Sequence, residues 1–487
     1  MSKFGNKLDE LINRSGGNKY RLCKDTGIDR VTLYRAINGE RVPGKDFIDK
    51  ICAALQLSLA EEKELRELYD IAKIGEDVFK RRLLVKDLAN HVNSLRLEQR
   101  PKNTQKTVIV EGIDDTLRVV SGSYNVNMLV RDLLDDLAYN TNPKRLWIKA
   151  PFDYSFLFDH LRQLYFELNG AIEIEHAAAF ARNTKSQSNP NANLETLAGI
   201  LPFVFYEGAG YRPAYYYPDS MNCDSIFLPY CLFTEKRLLM LAADYKTAML
   251  INNQDALNAC RAEYSALRTT PLFMHIANVT DIAGVYLDLS KHKRVSDVIG
   301  IEWQPCLIGF FSEDMAETYI KKHLAERDMI VQVLIKMISC LKDIRIHSFF
   351  TIEGLQDFVC NGYSITTPPQ YALPFCIDDR LRLLVSLRNA IDADISNSRV
   401  INPSAILVSP ETTIQIFTGS AMLFSIYNES GARMCVIEES GIYEAFNDFF
   451  QSLHHTEWVY SKQETLAILD KYICELQKTN AAFSRKC

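Results

Sequence analysis

The chain has 487 residues, of which 24% are charged and 47% hydrophobic. Its 55 Lys+Arg against 61 Asp+Glu give a net charge of −6, which excludes a basic nucleic-acid coat protein and a highly acidic disordered chain. The length is that of about three or four domains and needs neither disulfides nor a metal to fold.

The total charge hides an asymmetry. Residues 1–57 carry 11 Lys+Arg and 7 Asp+Glu, a net of +4, and the rest of the chain carries −10. A small basic head on a large acidic body suggests an anionic partner for the head. No apolar run reaches the roughly 18–20 residues a bilayer requires. The N-terminus, MSKFGNKLDELINRSGG, lacks the apolar core of a signal peptide, so a soluble cytoplasmic protein without a membrane partner is expected.

In chain order, FGNKLDELIN (4–13) sets Phe4, Leu8, Leu11 and Ile12 on one helical face. Asn18 caps a second helix, KYRLCKDT, that stops at Gly27. Asp29 caps a third, RVTLYRAI, that stops at Asn38-Gly39. A fourth helix, KDFIDKICAAL, has Phe47, Ile48, Ile51, Cys52 and Leu55 as its apolar stripe, and Ser58 with Glu61 forms the capping box of a fifth. These elements predict an all-α, five-helix domain over 1–75. Residues 76–106 are read as a helical connector and a linker, the polar EQRPKNTQKT (98–107) being the best linker in the chain.

Beyond it, strand-like runs (144–150, 171–176, 225–233, 237–243, 247–252) alternate with helical ones, which argues a large α/β (α+β) body, divided here into 107–300 and 301–487. The stretch 182–193, RNTKSQSNPNAN, is read as a loop, and AETYIKKHLAERDMIVQVLIKMISCLKDI (316–344) as helix-rich. A weak internal repeat of three strands and a helix links the segment after Cys231 with the segment after Glu411.

The third helix separates its residues cleanly. At about 100° per residue, Arg30, Val31, Tyr34, Arg35 and Asn38 span an arc of about 140°, and Leu33, Ala36 and Ile37 fall on the opposite side. A short helix with a buried back and a long-reaching front suits the DNA major groove, about 12 Å wide.

Residues 18–39, NKYRLCKDTGIDRVTLYRAING, resemble the helix-turn-helix of the Cro/CI-type (XRE family) repressors, and PGKDFIDKICAALQLS resembles that family's fourth helix. The resemblance covers residues 4–72 and implies a lambda-repressor-like DNA-binding domain in a transcriptional regulator. The family often has Gln where Lys19 stands and Glu where Ile37 stands; Lys19 can still meet a phosphate as a point charge. Carried over by position, Arg30, Val31, Tyr34 and Arg35 are base-facing, Lys19, Arg41 and Lys45 meet backbone phosphates, and Asp29 completes the DNA-binding set at the start of the helix. Double-stranded operator DNA and a second copy of the chain are the implied partners, with half-sites about 34 Å apart by default.

The body gives less. IGEDVFKRRLLVKDLANHV resembles the helical connector of large regulators from Gram-positive bacteria. The α/β repeats look like the halves of phospholipase-D-like sensor domains, but their His-Lys-Asp chemistry is absent. No phosphate-binding glycine loop, GxSxG or SxxK occurs with a catalytic partner, so no enzyme activity and no cofactor are expected. The 12 Cys form no CxxC and read mostly as buried thiols, as in Phe-Val-Cys360. The pairs Asp114-Asp115, Asp135-Asp136 and Asp378-Asp379 read as solvated faces or caps. Glu173 and Glu175 share a strand face that His176 does not, which speaks against a metal site. The aromatic stretch Tyr211–Asp219 reads as Tyr rings packed on a sheet, with the lining of a ligand pocket as the alternative, and the group Trp303, Phe310 and Phe311 reads as core. The expected role of the body is to sense a small-molecule or protein effector, or to oligomerise; an interaction scaffold or a fused enzyme is the alternative.

Overall fold

The computed structural model describes residues 2–15, 18–94, 116–182, 191–204, 210–218, 228–276, 284, 288, 295–428 and 431–484. The linker 98–107 and Asp114-Asp115 lie outside them, as does most of the loop 182–193. The chain divides into two compact units, 1–85 and 86–487.

The first unit contains α1 (Lys3–Arg14), α2 (Lys19–Thr26), α3 (Arg30–Asn38), α4 (Lys45–Leu55) and α5 (Leu59–Ile74). The unit boundary falls within α6 (Glu76–Ser94). Each short helix is bounded by its own sequence. The side chains of Ser2, Asn18 and Asp29 accept from Gly5 N, Tyr20 N and Thr32 N, and Ser58 and Glu61 close a reciprocal capping box. Gly27 and Gly39 end α2 and α3 at φ +68° and +75°, a left-handed region that costs glycine nothing. The core gathers Phe4, Leu8, Leu11 and Ile12 of α1, Leu22, Leu33 and Ile37 of the next two helices, Phe47, Ile48 and Ile51 of α4, and Leu65 and Tyr69 of α5. Tyr69 packs edge-on to Phe4 at 5.6 Å and donates to the Pro43 carbonyl at 2.8 Å.

The second unit holds two mixed sheets. The first contains β1 (Leu117–Ser121), β2 (Arg145–Lys149), β3 (Glu173–Ala179), β4 (Tyr211–Tyr216), β5 (Tyr230–Phe233), β6 (Leu238–Leu241), β7 (Thr247–Ile251) and β8 (Thr270–Pro271). The second contains β9 (Met274–Ile276), β10 (Asp297–Glu302), β11 (Arg345–Phe350), β12 (Arg399–Val400), β13 (Thr412–Phe417), β14 (Ala421–Asn428) and β15 (Gly431–Ile437). Their orders are β1-β7-β6-β5-β2-β3-β4-β8 and β9-β15-β14-β13-β10-β11-β12. Leaving out β8, the second order is the first with eight added to each strand number.

Directions repeat as well. β2, β3 and β4 run parallel, as do β10, β11 and β12. β5 joins β2 antiparallel and starts the meander β5-β6-β7, just as β13 joins β10 and starts β13-β14-β15. The helices Gln254–Ala266 and Ser440–Ser452 follow these meanders. Even β8 has a counterpart, an antiparallel bridge between Ile401 and Val459. The repeat seen in sequence as three strands and a helix is therefore a whole sheet.

Alternate residues serve opposite faces of each sheet. In the second sheet, Val298, Leu423, Met434 and Val436 join a core with helices such as Ile377–Asp392 and Lys462–Ser484. On the other face Phe424 meets Phe446 of Ser440–Ser452 edge-on at 5.7 Å. The 316–344 segment contains two helices, Glu313–Tyr319 and Arg327–Leu341.

Candidate nucleic-acid interface

α2 and α3 meet through the turn Gly27-Ile28-Asp29, whose Ile28 packs onto the core. Leu33, Ala36 and Ile37 bury the back of α3, and Arg30, Val31, Tyr34, Arg35 and Asn38 are exposed along its front. Asp29, Arg41 and Lys45 are also exposed. Asp29 caps α3, its Oδ2 accepting from Thr32 N at 3.0 Å.

Lys19 is half-buried. Its ammonium pairs with Asp9 Oδ1 at 2.5 Å and stands 5.6 Å from the Tyr34 ring centroid. The cation expected at a phosphate is thus held at the root of the exposed face of α3. The Arg30 guanidinium lies 5.5 Å from the ring of Tyr20.

Tyr20 lies beside the expected set without being part of it. It is 58% exposed, more than Val31 at 55% or Tyr34 at 42%, so three large apolar side chains face solvent on α2 and α3. Tyr20 and Tyr34 stand beside the cations of Arg30 and Lys19. The sequence carries a signal of this exposure: Tyr20 lies about 200° around α2 from the buried Leu22. Burial raises the thiol of neighbouring Cys23, which leaves it an inert part of the core.

The body presents its titratable groups differently. His176 is fully buried on β3, with Nδ1 2.7 Å from Tyr211 Oη and Nε2 2.8 Å from the Ala150 carbonyl. Glu173 pairs with Arg145, and Glu175 accepts from Trp147 Nε1. Of the described carboxylate pairs, Asp135-Asp136 is half-buried and ion-paired, and Asp378-Asp379 stands in the first turn of the helix Ile377–Asp392 with Asp378 exposed. Asp135 meets His160 at 2.8 Å, Asp136 meets Arg237 at 3.4 Å, Asp378 accepts from Asn480, and Asp379 from Tyr319. Tyr211 stacks on Phe203 and Tyr215 on Phe180, while Tyr217 donates to Glu439 at 2.7 Å. Phe311 is buried and Trp303 and Phe310 are partly so. Cys360, expected to be buried, is exposed, as are Cys376 and Cys474: the apolar neighbours in sequence point to the core and the thiol does not. Among the described residues no group of three or more His, Cys, Asp and Glu could hold a metal ion. No helix among them is long and apolar enough to cross a membrane.

A helix-turn-helix with a capped, exposed second helix defines the first unit as a DNA-binding domain. Residues 7–61 match the family model of the Cro/C1-type HTH DNA-binding domain. No curated protein matches the chain. Among solved structures it is similar to phosphatidylserine synthase of Haemophilus influenzae Rd KW20, at 11% identity and a TM-score of 0.26, over 82% of this chain and 97% of that one. It is also similar to polyphosphate kinase of Porphyromonas gingivalis, at 10% identity and a TM-score of 0.22, over 84% of this chain and 62% of that one. Likenesses this low assign the body no activity.

Proposed function

We propose that the protein is a sequence-specific transcriptional regulator that acts in the cytoplasm as a homodimer on operator DNA. The exposed front of α3 carries this reading. Arg30 and Arg35 offer forked donors to guanine, Val31 a methyl contact to thymine, and Tyr34 a hydroxyl to base or phosphate. Arg41 and Lys45 suit backbone phosphates, and Lys19 joins them by exchanging Asp9 for a phosphate oxygen. Residues 107–487 serve as a sensing or oligomerising body rather than a catalytic one, and the lack of motif-bearing loops in the sequence supports that assignment.

The test is selection of bound sites from random DNA by the full chain, followed by gel shifts. Arg30→Ala is expected to flatten sequence preference. Lys19→Ala is expected to weaken binding to all sequences alike and to lower the salt slope by about one. Full specificity in Arg30→Ala would overturn the assignment of α3 as the reading helix.

A further inference from the structure

Cys231 and Cys260 are separated by 29 residues and brought into contact, Sγ to Sγ 3.7 Å. Cys231 is buried on β5, where its strand neighbours are Lys149 of β2 and Met240 of β6. Cys260 is half-exposed on the helix Gln254–Ala266. Trp147, Phe233, Leu257 and Tyr264 surround the pair.

The two sulfurs are not equivalent. The hydrogen bond to Cys260, together with burial, holds the Cys231 thiol protonated, well above the usual range. The Cys231 S–H in turn draws the Cys260 thiol down, and the Lys149 ammonium adds to this. A thiolate forms first on the sulfur that solvent can reach, and a second sulfur already touches it.

We propose that Cys231 and Cys260 are a site of reversible oxidation by hydroperoxides that closes to an intramolecular disulfide. The Cys260 thiolate attacks one peroxide oxygen, the O–O bond breaks, and the departing hydroxide or alkoxide takes a proton from solvent. Cys260 is then a sulfenic acid. Cys231 loses its proton and attacks Cys260 Sγ, the S–O bond breaks, and hydroxide leaves as water. With hydrogen peroxide, two thiols and one peroxide give one disulfide and two waters. The sulfurs close from 3.7 Å to the bonded distance of about 2 Å, a change on the scale of side-chain rotation. The bond would staple the helix Gln254–Ala266 to the strand on which it packs.

The full chain treated with hydrogen peroxide, alkylated and digested without reductant is expected to give a peptide pair linked through Cys231 and Cys260. Dithiothreitol should return it to two separately alkylated peptides. Cys231→Ser should leave Cys260 as a sulfenic acid that dimedone traps, and Cys260→Ser should leave Cys231 fully alkylatable. Wild-type protein needs no variant for the central result. Recovery of Cys231 and Cys260 as separate alkylated peptides after peroxide, or of Cys260 as the sulfinic acid with no link, would overturn the proposal.

Discussion

His176 accepts from Tyr211 through Nδ1 and donates to the Ala150 carbonyl through Nε2, so both ring nitrogens are satisfied in the neutral form. Burial pulls its pKa from 6.5 down to about 4. The unfolded chain therefore takes up the proton first as pH falls. His176 gives its full stability above about pH 6.5 and loses about 3 kcal/mol of it by pH 4. Glu302 on β10 has the opposite sign. Burial raises its pKa from 4.5 to about 7, against hydrogen bonds from Gln415 and Cys306. Its protonated form belongs to the fold, so stability is full below about pH 4.5 and falls as pH rises to 7. The two slopes largely cancel between pH 4.5 and 6.5 in the wild-type chain. Urea unfolding across that range should show stability rising with pH in Glu302→Gln and falling with pH in His176→Gln. Flat profiles in both variants would mean that neither group titrates as its burial requires.

At the scale of elements, the placement of α3 depends on two local devices. Asp29 supplies the cap of α3, and Asp29→Ala should cost about 1 kcal/mol in thermal unfolding of the first unit. Asp29→Asn keeps the cap and removes a negative charge beside the face proposed to meet DNA, so it should preserve stability and tighten binding, read by gel shift. Gly5 of α1 is the other device. A Cβ there would stand 2.1 Å from the Ile37 carbonyl oxygen of α3. Gly5→Ala should push the two helices apart, cost roughly 1–3 kcal/mol and weaken DNA binding without touching a DNA-facing side chain. Such helices are legible in the sequence because caps, turn glycines and the 3.6-residue period are local signals. The strands β10 and β11 carry no such signal. Val298, Ile299 and Ile301 of β10 are buried along its length, as are Phe349 and Phe350 of β11, and a strand buried on both faces has no alternation to read.

At the scale of the whole molecule, charge and repetition organise the chain. The +4 of residues 1–57 makes the first unit the natural site of an electrostatic encounter with DNA. Affinity should fall log-linearly with salt, and a salt-independent affinity in gel shifts would speak against phosphate contacts. Sedimentation of the DNA complex should give two chains per operator. In the second unit, matching orders of two sheets turn a faint resemblance between two segments into a duplicated architecture.

The sequence by itself determined the first five helices, their ends and the polar front of α3, because each follows from residues within one or two turns of one another. It also determined that the body alternates strands and helices. Only tertiary structure decided which strands are neighbours, that Tyr20 lies under Arg30, that Lys19 is paired with Asp9, and that Cys231 meets Cys260. A period-two pattern says which face a strand buries but not what lies beside it, and contacts between distant residues leave no mark on either partner's local sequence.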